Sequence, residues 1–179
     1  MSIQRSKTTT IKGCSVWVLD KNSGNPITET PQADNVTVTI PNIEFGTTDV
    51  NILGNLSVPD FTRLDNFQVT VNVSVDNPDT KPLLATGLVS WKIRYAIGHV
   101  DVESGLETLV PFTYYVKGYV TSIPNSSIEQ GGDGKADINM NVVAIKKQRY
   151  SDYLYDINRL TGTVIIDGES KTSELSNLY

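Results

Sequence analysis

Phe67-Gln-Val-Thr-Val-Asn-Val-Ser-Val75 is the stretch that decides the fold class. Phe67, Val69, Val71, Val73 and Val75 recur at every second position, with Gln68, Thr70, Asn72 and Ser74 between them. Successive side chains of an extended chain point to opposite faces, so this is a strand with one dry face and one polar face. Val36-Thr-Val-Thr-Ile40 repeats the pattern in miniature. Val89, Trp91, Ile93, Tyr95 and Ile97 alternate with Ser90, Lys92, Arg94 and Ala96. Val110, Phe112, Tyr114 and Val116 alternate with Thr113, Tyr115 and Lys117. Ala136, Ile138, Met140, Val142 and Ala144 alternate with Asp137, Asn139, Asn141, Val143 and Ile145. Residues 15–19 and 163–166 read as shorter strands, and both Trp17 and Trp91 fall in core-like strand patterns. Roughly seven strands of this kind imply a mainly β, antiparallel sandwich or barrel-like domain.

Turn chemistry separates the strands. Lys21-Asn-Ser-Gly-Asn-Pro26 follows the first of them. Glu103-Ser-Gly105 is placed to close a hairpin between strands near 88–102 and 107–121, and Gln130-Gly-Gly-Asp-Gly134 to close the next, between 110–123 and 135–147. One short flanking α-helix is expected over 78–86. Asn77 caps it, Pro78 opens it, Asp79 puts negative charge in its first turn, and Gly87 stops it. Residues 149–158 admit a short turn of helix. Residues 41–66 stand apart: Ile43, Phe45, Ile52, Leu53, Leu56, Val58, Phe61 and Leu64 follow no clean period, yet are too apolar for a solvated loop. They form either an irregular excursion packed on its own domain or an arm buried by another subunit.

A chain of 179 residues suits one domain. With 20 acidic against 15 basic side chains, its net charge of -5 speaks against gripping a polyanion. No apolar run reaches membrane-spanning length. The start, Met-Ser-Ile-Gln-Arg-Ser-Lys, has no apolar signal core behind it, so the expected setting is the cytoplasm or an assembly built there. A single cysteine, Cys14, excludes an internal disulfide, and a single histidine, His99, leaves little room for His-based catalysis.

Candidate chemistry is sparse. Gly131-Gly-Asp-Gly-Lys-Ala-Asp137 has the look of a calcium-binding repeat, but Ala136 stands where an aspartate is needed and no second copy follows. Asn35, Asn55, Asn72 and Asn125 each begin an Asn-X-Ser/Thr triplet, read as chance in a Ser/Thr-rich chain. Cys14 is expected to be structural rather than a partner of His99. Asp152 and Asp156, set among Tyr150, Tyr153 and Tyr155, are expected on a solvated face rather than as paired acids. No catalytic, cofactor-binding or metal residue is assigned, no cofactor is expected, and the chain is not expected to be an enzyme.

Three stretches in order resemble the major tail tube protein family of contractile-tailed bacteriophages. The first is Val36-Thr-Val-Thr-Ile-Pro-Asn42 with the excursion that leads to the strand from Phe67. The second is Asn77-Pro-Asp79 through Leu84 into Trp91-Lys-Ile-Arg94. The third is Lys117-Gly-Tyr-Val-Thr-Ser-Ile123, then Gly132-Asp-Gly134, Asp156-Ile-Asn158 and Asp167-Gly168. The likeness covers about residues 30–170.

The resemblance implies a single tail tube domain whose hexameric rings stack into a hollow, DNA-conducting tube inside a sheath. Phage-tail-like bacteriocins and secretion devices share this plan. The implied partners are further copies of the chain, a tail sheath protein, baseplate and tail terminator proteins, and in the bore a tape measure protein and then DNA, without specific binding and without a membrane. The implied place is the virion, after assembly in the bacterial host cytoplasm. On this reading Thr37, Thr39, Gln68, Thr70, Asn72, Ser74, Asp137, Asn139 and Asn141 face the lumen, since they carry no Lys or Arg to hold phosphate. The arm at 41–66 stacks rings through Ile52, Leu53, Leu56 and Phe61, and Lys92 and Arg94 face the sheath. A different class, an all-β adhesin or carbohydrate-binding module, would stay small in solution where a tube protein polymerises.

Overall fold

The computed structural model describes residues 7–51, 54–101 and 104–171. Its elements are β1 (Lys7–Val18), β2 (Thr37–Thr39), β3 (Phe45–Asn51), β4 (Asn55–Leu64), β5 (Gln68–Ser74), a 3₁₀ helix (Pro78–Leu84), β6 (Gly87–Asp101), β7 (Glu107–Val120), β8 (Lys135–Arg149), β9 (Asp152–Asn158), β10 (Thr163–Ile166) and β11 (Glu169–Ser170). Among the described residues the fold is mainly β and sandwich-like, with antiparallel pairing throughout and no closed barrel.

Nine strands share one sheet, which forks at β8. Along its second half β8 lies between β7 and β9, and its first half pairs with β5, which in turn pairs with β2. On the far side β7 pairs with β6 and β6 with β1. The path β1–β6–β7–β8–β5–β2 then nearly returns to its start. Val16 and Ala33 exchange backbone bonds of 2.8 and 3.2 Å, and the Val36 amide donates to the Cys14 carbonyl at 3.1 Å. Gln32 extends this thin seam, because its buried side-chain oxygen accepts the Val18 amide at 2.6 Å in place of a neighbouring strand.

The dry faces meet inside. Val69, Val71 and Val73 of β5 are fully buried, as are Trp91 and Ile93 of β6, Val116 and Val120 of β7, and Ile138 and Met140 of β8. Each such aliphatic side chain contributes about 1.5–3 kcal/mol relative to an exposed position. A row of inward residues, Val18, Trp91, Val116, Ile145, Ile157 and Val164, crosses from β1 to β10 in register.

Five expectations need correction. The helical turn at 78–84 is 3₁₀ rather than α. Asn77 caps it as expected, but Pro82 has no N–H to give and disfavours the α conformation at Lys81. Residues 149–158 form the turn into β9 and the strand itself, with Tyr150 at φ 52°. The chain from Val120 to Lys135 is a long connection rather than a tight hairpin, because β8 overruns the end of β7 to reach β5. Trp17 lies on the outward face of β1, half-buried, and only Trp91 is core. On β8 a bulge at Val143 reverses the inside–outside order, so Ile145 rather than Ala144 is the buried residue.

Residues 41–66 are not aperiodic in structure. β3 and β4 pair with each other as a separate two-stranded sheet. Among the described residues, only the base of this hairpin packs on the core, through Ile43, Phe45, Phe61 and Leu64. Phe45 and Phe61 meet edge to face at 5.0 Å between ring centres.

Candidate functional site

The nine polar residues singled out on β2, β5 and β8 come together on one outward face. Their strands are held by the buried valines beneath, so the register of the core also sets the register of the polar side. Gln68, Thr70 and Asn72 stand opposite Asn141, Asn139 and Asp137. Thr37 and Thr39 of β2 continue the rows beside Asn72 and Thr70. The opposed side chains bond to one another. Gln68 Nε2 donates to Asn141 Oδ1 at 2.6 Å, Thr70 Oγ1 to Asn139 Oδ1 at 2.7 Å, and Asn72 Nδ2 to Asp137 Oδ1 at 2.8 Å. This ladder uses three donors of the face within the face itself.

One cation adjoins the ladder, and the sequence reading missed it. Lys135 stands opposite Ser74, at the next outward position before Asp137. Extending the alternation one step back would have found it, but Gln130–Gly134 was read as a turn ending there. Its ammonium pairs with Asp133 at 3.2 Å. The Lys135 amide and side chain both bond the Asp133 carboxylate and hold its pKa below the usual carboxylate range. Tyr119, opposite Asn141 and exposed, borders the ladder on its other side.

The expected basic face is on the far side of the sheet path. In the order β1–β6–β7–β8–β5–β2, β7 and β8 both stand between β6 and β5. Lys92 and Arg94 of β6 point outward beside Lys117 of β7, whose partner across the pair is Ser90. Lys92 lies over the Trp17 ring at 5.9 Å, and the Trp17 indole N–H donates to the Glu29 carbonyl at 3.3 Å. Farther along, Lys146 is already neutralised by Asp156 at 2.8 Å.

Of the four proposed arm residues, Ile52 and Leu53 lie outside the described residues. Phe61 packs edge to face on Phe45 at the hairpin base and is partly buried within its own chain. Leu56 is 56% exposed and carries the apolar surface near the hairpin's end.

The structure does not assemble the catalytic pairs weighed above. Cys14 stands opposite Tyr95 and His99 opposite Thr9, four residues farther along β6, about 13 Å at strand rise. Burial pushes the Cys14 thiol up, and Asp34 adds to the effect, which is the reverse of an activated nucleophile. Asp156 pairs with Lys146, while Asp152 stands opposite Arg149 four residues away on an extended strand. Among the described residues, no group of three or more His, Cys, Asp or Glu is placed to hold a metal ion. An aromatic cluster fills the inner face beyond the core. Tyr95 stacks on Phe112 and Tyr114 at 5.4 and 6.0 Å, and Lys147 lies over Phe112 and Tyr114 at 5.3 and 5.1 Å. Burial first, and Tyr114 second, raise the hydroxyl pKa values of Tyr95 and Tyr155 well above the usual phenol range.

Compared with known proteins, the chain matches no family model and no curated protein.

Proposed function

We propose that this chain is the structural subunit of a viral tail tube. Hexameric rings of it stack into a hollow conduit for DNA inside a contractile sheath, and the chain performs no catalysis. The observation that best supports this reading is the ladder on β5 and β8, where carboxamide, hydroxyl and carboxylate groups bond across the strands. A wall for passing DNA should hold few free cations, since each contact between a cation and a phosphate adds salt-dependent affinity and slows sliding. The ladder has that chemistry, and Lys135 at its edge is ion-paired. Its partners are its own copies, the tail sheath protein outside, baseplate and terminator proteins at the ends, and the tape measure protein and then DNA in the bore. The finished tube belongs to the virion, assembled in the host cytoplasm.

Electron microscopy of concentrated protein, joined to thiol labelling, tests this reading. A Gln68→Cys variant in a Cys14→Ser background should form hollow tubes. Its thiol should react with a small maleimide, but not with a maleimide on a carrier too large for the bore. Equal reaction with both places the ladder on the outside, and failure to form any tube removes the proposal.

A further inference from the structure

The chain carries two segments of opposite charge. Residues 44–65, the hairpin, hold Glu44, Asp49, Asp60 and Asp65 against Arg63 alone. The outward face of β6 and β7 holds Lys92, Arg94 and Lys117, and no carboxylate occupies the outward positions of residues 88–96 or 111–119. On the neighbouring strands Lys146 pairs with Asp156, and Lys12 of β1 pairs with Glu107. Two of the hairpin carboxylates have local partners: Asp49 accepts from Ser57 at 2.5 Å, and Asp60 accepts from Thr62 at 2.6 Å and feels the Arg63 charge.

A second physical fact concerns the hairpin alone. A two-stranded ribbon is marginally stable in water without a surface to lie on. Among its described residues only the base touches the core, while Thr47, Thr48, Asp49, Leu56 and Ser57 are exposed. From Phe61 to its far end at Asn55 β4 spans about 20 Å, which carries Asp49, opposite Ser57, past the anchoring phenylalanines, while Asp60, Glu44 and Asp65 lie beside or at the base.

We infer that the acidic hairpin of one copy docks on the basic face formed by Lys92, Arg94 and Lys117 of a second copy. The occupant is assigned from charge complementarity: the chain itself supplies an acidic, underpacked ribbon for the cationic face. Donor and acceptor surfaces are different patches, so each copy can receive one neighbour's hairpin while giving its own to another, a heterologous contact, whereas reciprocal exchange between two copies would close a twofold pair. On the stacked reading the contact repeats from copy to copy. Leu56 supplies apolar area, and the charges set register and approach. This deepens the stacking proposed above and rests on that reading only for the shape of the product. The acceptor surface is the one that the sequence reading gave to the sheath.

A charge swap tests the contact. Full-length protein is compared in four forms: wild type, Glu44→Lys/Asp49→Lys, Arg94→Glu/Lys117→Glu, and all four changes together. Circular dichroism checks the fold, and sedimentation with electron microscopy reads assembly at 0.05 and 0.5 M salt. Each one-sided variant should raise the concentration needed for assembly about tenfold at low salt, and less at high salt, where exposed charges are screened. The combined variant should return to within about threefold of wild type. A combined variant no better than either parent overturns the contact. So does a wild type that stays monomeric throughout. Loss of binding to a purified sheath protein by the Arg94/Lys117 variant, with unchanged self-assembly, gives the face to an acidic external partner and also overturns it. Wild-type assemblies that obey the swap but have no bore keep this inference and remove the tube reading.

Discussion

Asn72 and Asp137 stand opposite each other on β5 and β8, and the Asn72 amide donates to the Asp137 carboxylate at 2.8 Å. The bond joins residues 65 apart in the chain and lies directly outside the buried Val71, Val73 and Ile138. The same backbone register therefore fixes both the core and the polar ladder, and the ladder can be altered without entering the core.

Replacing Thr70 and Asn72 by Lys should therefore leave folding and assembly nearly intact. Two cations per subunit on this face should make assembled tubes retain double-stranded DNA at 50 mM salt and release it at 200 mM. Filter binding of radiolabelled DNA reads the effect. Wild-type retention at both salts would count against a lumenal ladder.

Shortening the hairpin separates folding from assembly. Thr48 and Val58 are cross-strand partners, so replacing residues 49–57 by Asn-Gly keeps Phe45, Phe61 and Leu64 in place. The variant should unfold within about 1 kcal/mol of wild type, as expected for loss of exposed surface positions, yet form no stacked assemblies. Denaturant titration and sedimentation give the two readings.

The two tryptophans should differ sharply. Trp91 is fully buried in the central row, so Trp91→Ala should cost about 3–5 kcal/mol. Trp17 is half-buried on the outward face under Lys92, and Trp17→Ala should cost about 1 kcal/mol from the lost cation–π contact and indole hydrogen bond. Urea unfolding monitored by circular dichroism distinguishes them.

Two strand glycines predict opposite outcomes. A Cβ at Gly118 would stand 2.1 Å from the Asn141 carbonyl oxygen, backbone that the bulge at Val143 holds in place. Gly118→Ala should cost about 3 kcal/mol. A Cβ at Gly98 would meet the movable end of Glu107 instead, so Gly98→Ala should cost no more than about 1 kcal/mol, the worth of the exposed Lys12–Glu107 pair. Thermal melts of both variants check the ranking.

Alkaline pH should unfold the protein through its aromatic cluster. The folded pKa values of Tyr95 and Tyr155 lie above their ordinary value of 10.0. Above that value the unfolded chain sheds phenol protons that the folded chain keeps, so stability falls as pH rises. Melting temperature should be insensitive to these groups below about pH 9 and decline above about pH 10. In a Tyr155→Phe variant the decline should be shallower; an equal slope would sink the assignment.

Legibility in the sequence followed the regularity of the strands. β5, β6 and the core half of β7 keep strict alternation between one dry and one wet side, and they form as read. β8 was read correctly up to Val142, where the extra residue Val143 inverts the pattern. β9 was missed because Leu154 is likewise an extra residue, which breaks the period among its tyrosines and aspartates. The hairpin at 45–64 was unreadable for a different reason. Neither of its faces is fully dry, and residues 61–63 have no cross-strand partners between Phe45–Leu64 and Gly46–Asp60. The members of the polar ladder were visible as alternate positions, but their cross-strand partners were not, because that pairing depends on residues 65 to 73 positions apart.

The fork at β8 also sets an order of events during synthesis. β6 and β7 form an antiparallel pair from adjacent segments and can zip as soon as both have emerged. β5 precedes them in the chain, yet its long partner is β8, which leaves the ribosome some seventy residues later. Until then the valine side of β5 has no lasting cover, and its only available ladder is the three-residue pairing with β2. The nascent chain is therefore most prone to aggregate between emergence of Ser74 and emergence of Asn141. Ribosome-stalled chains ending within that window should bind a hydrophobic-surface chaperone, and release it once β8 is complete.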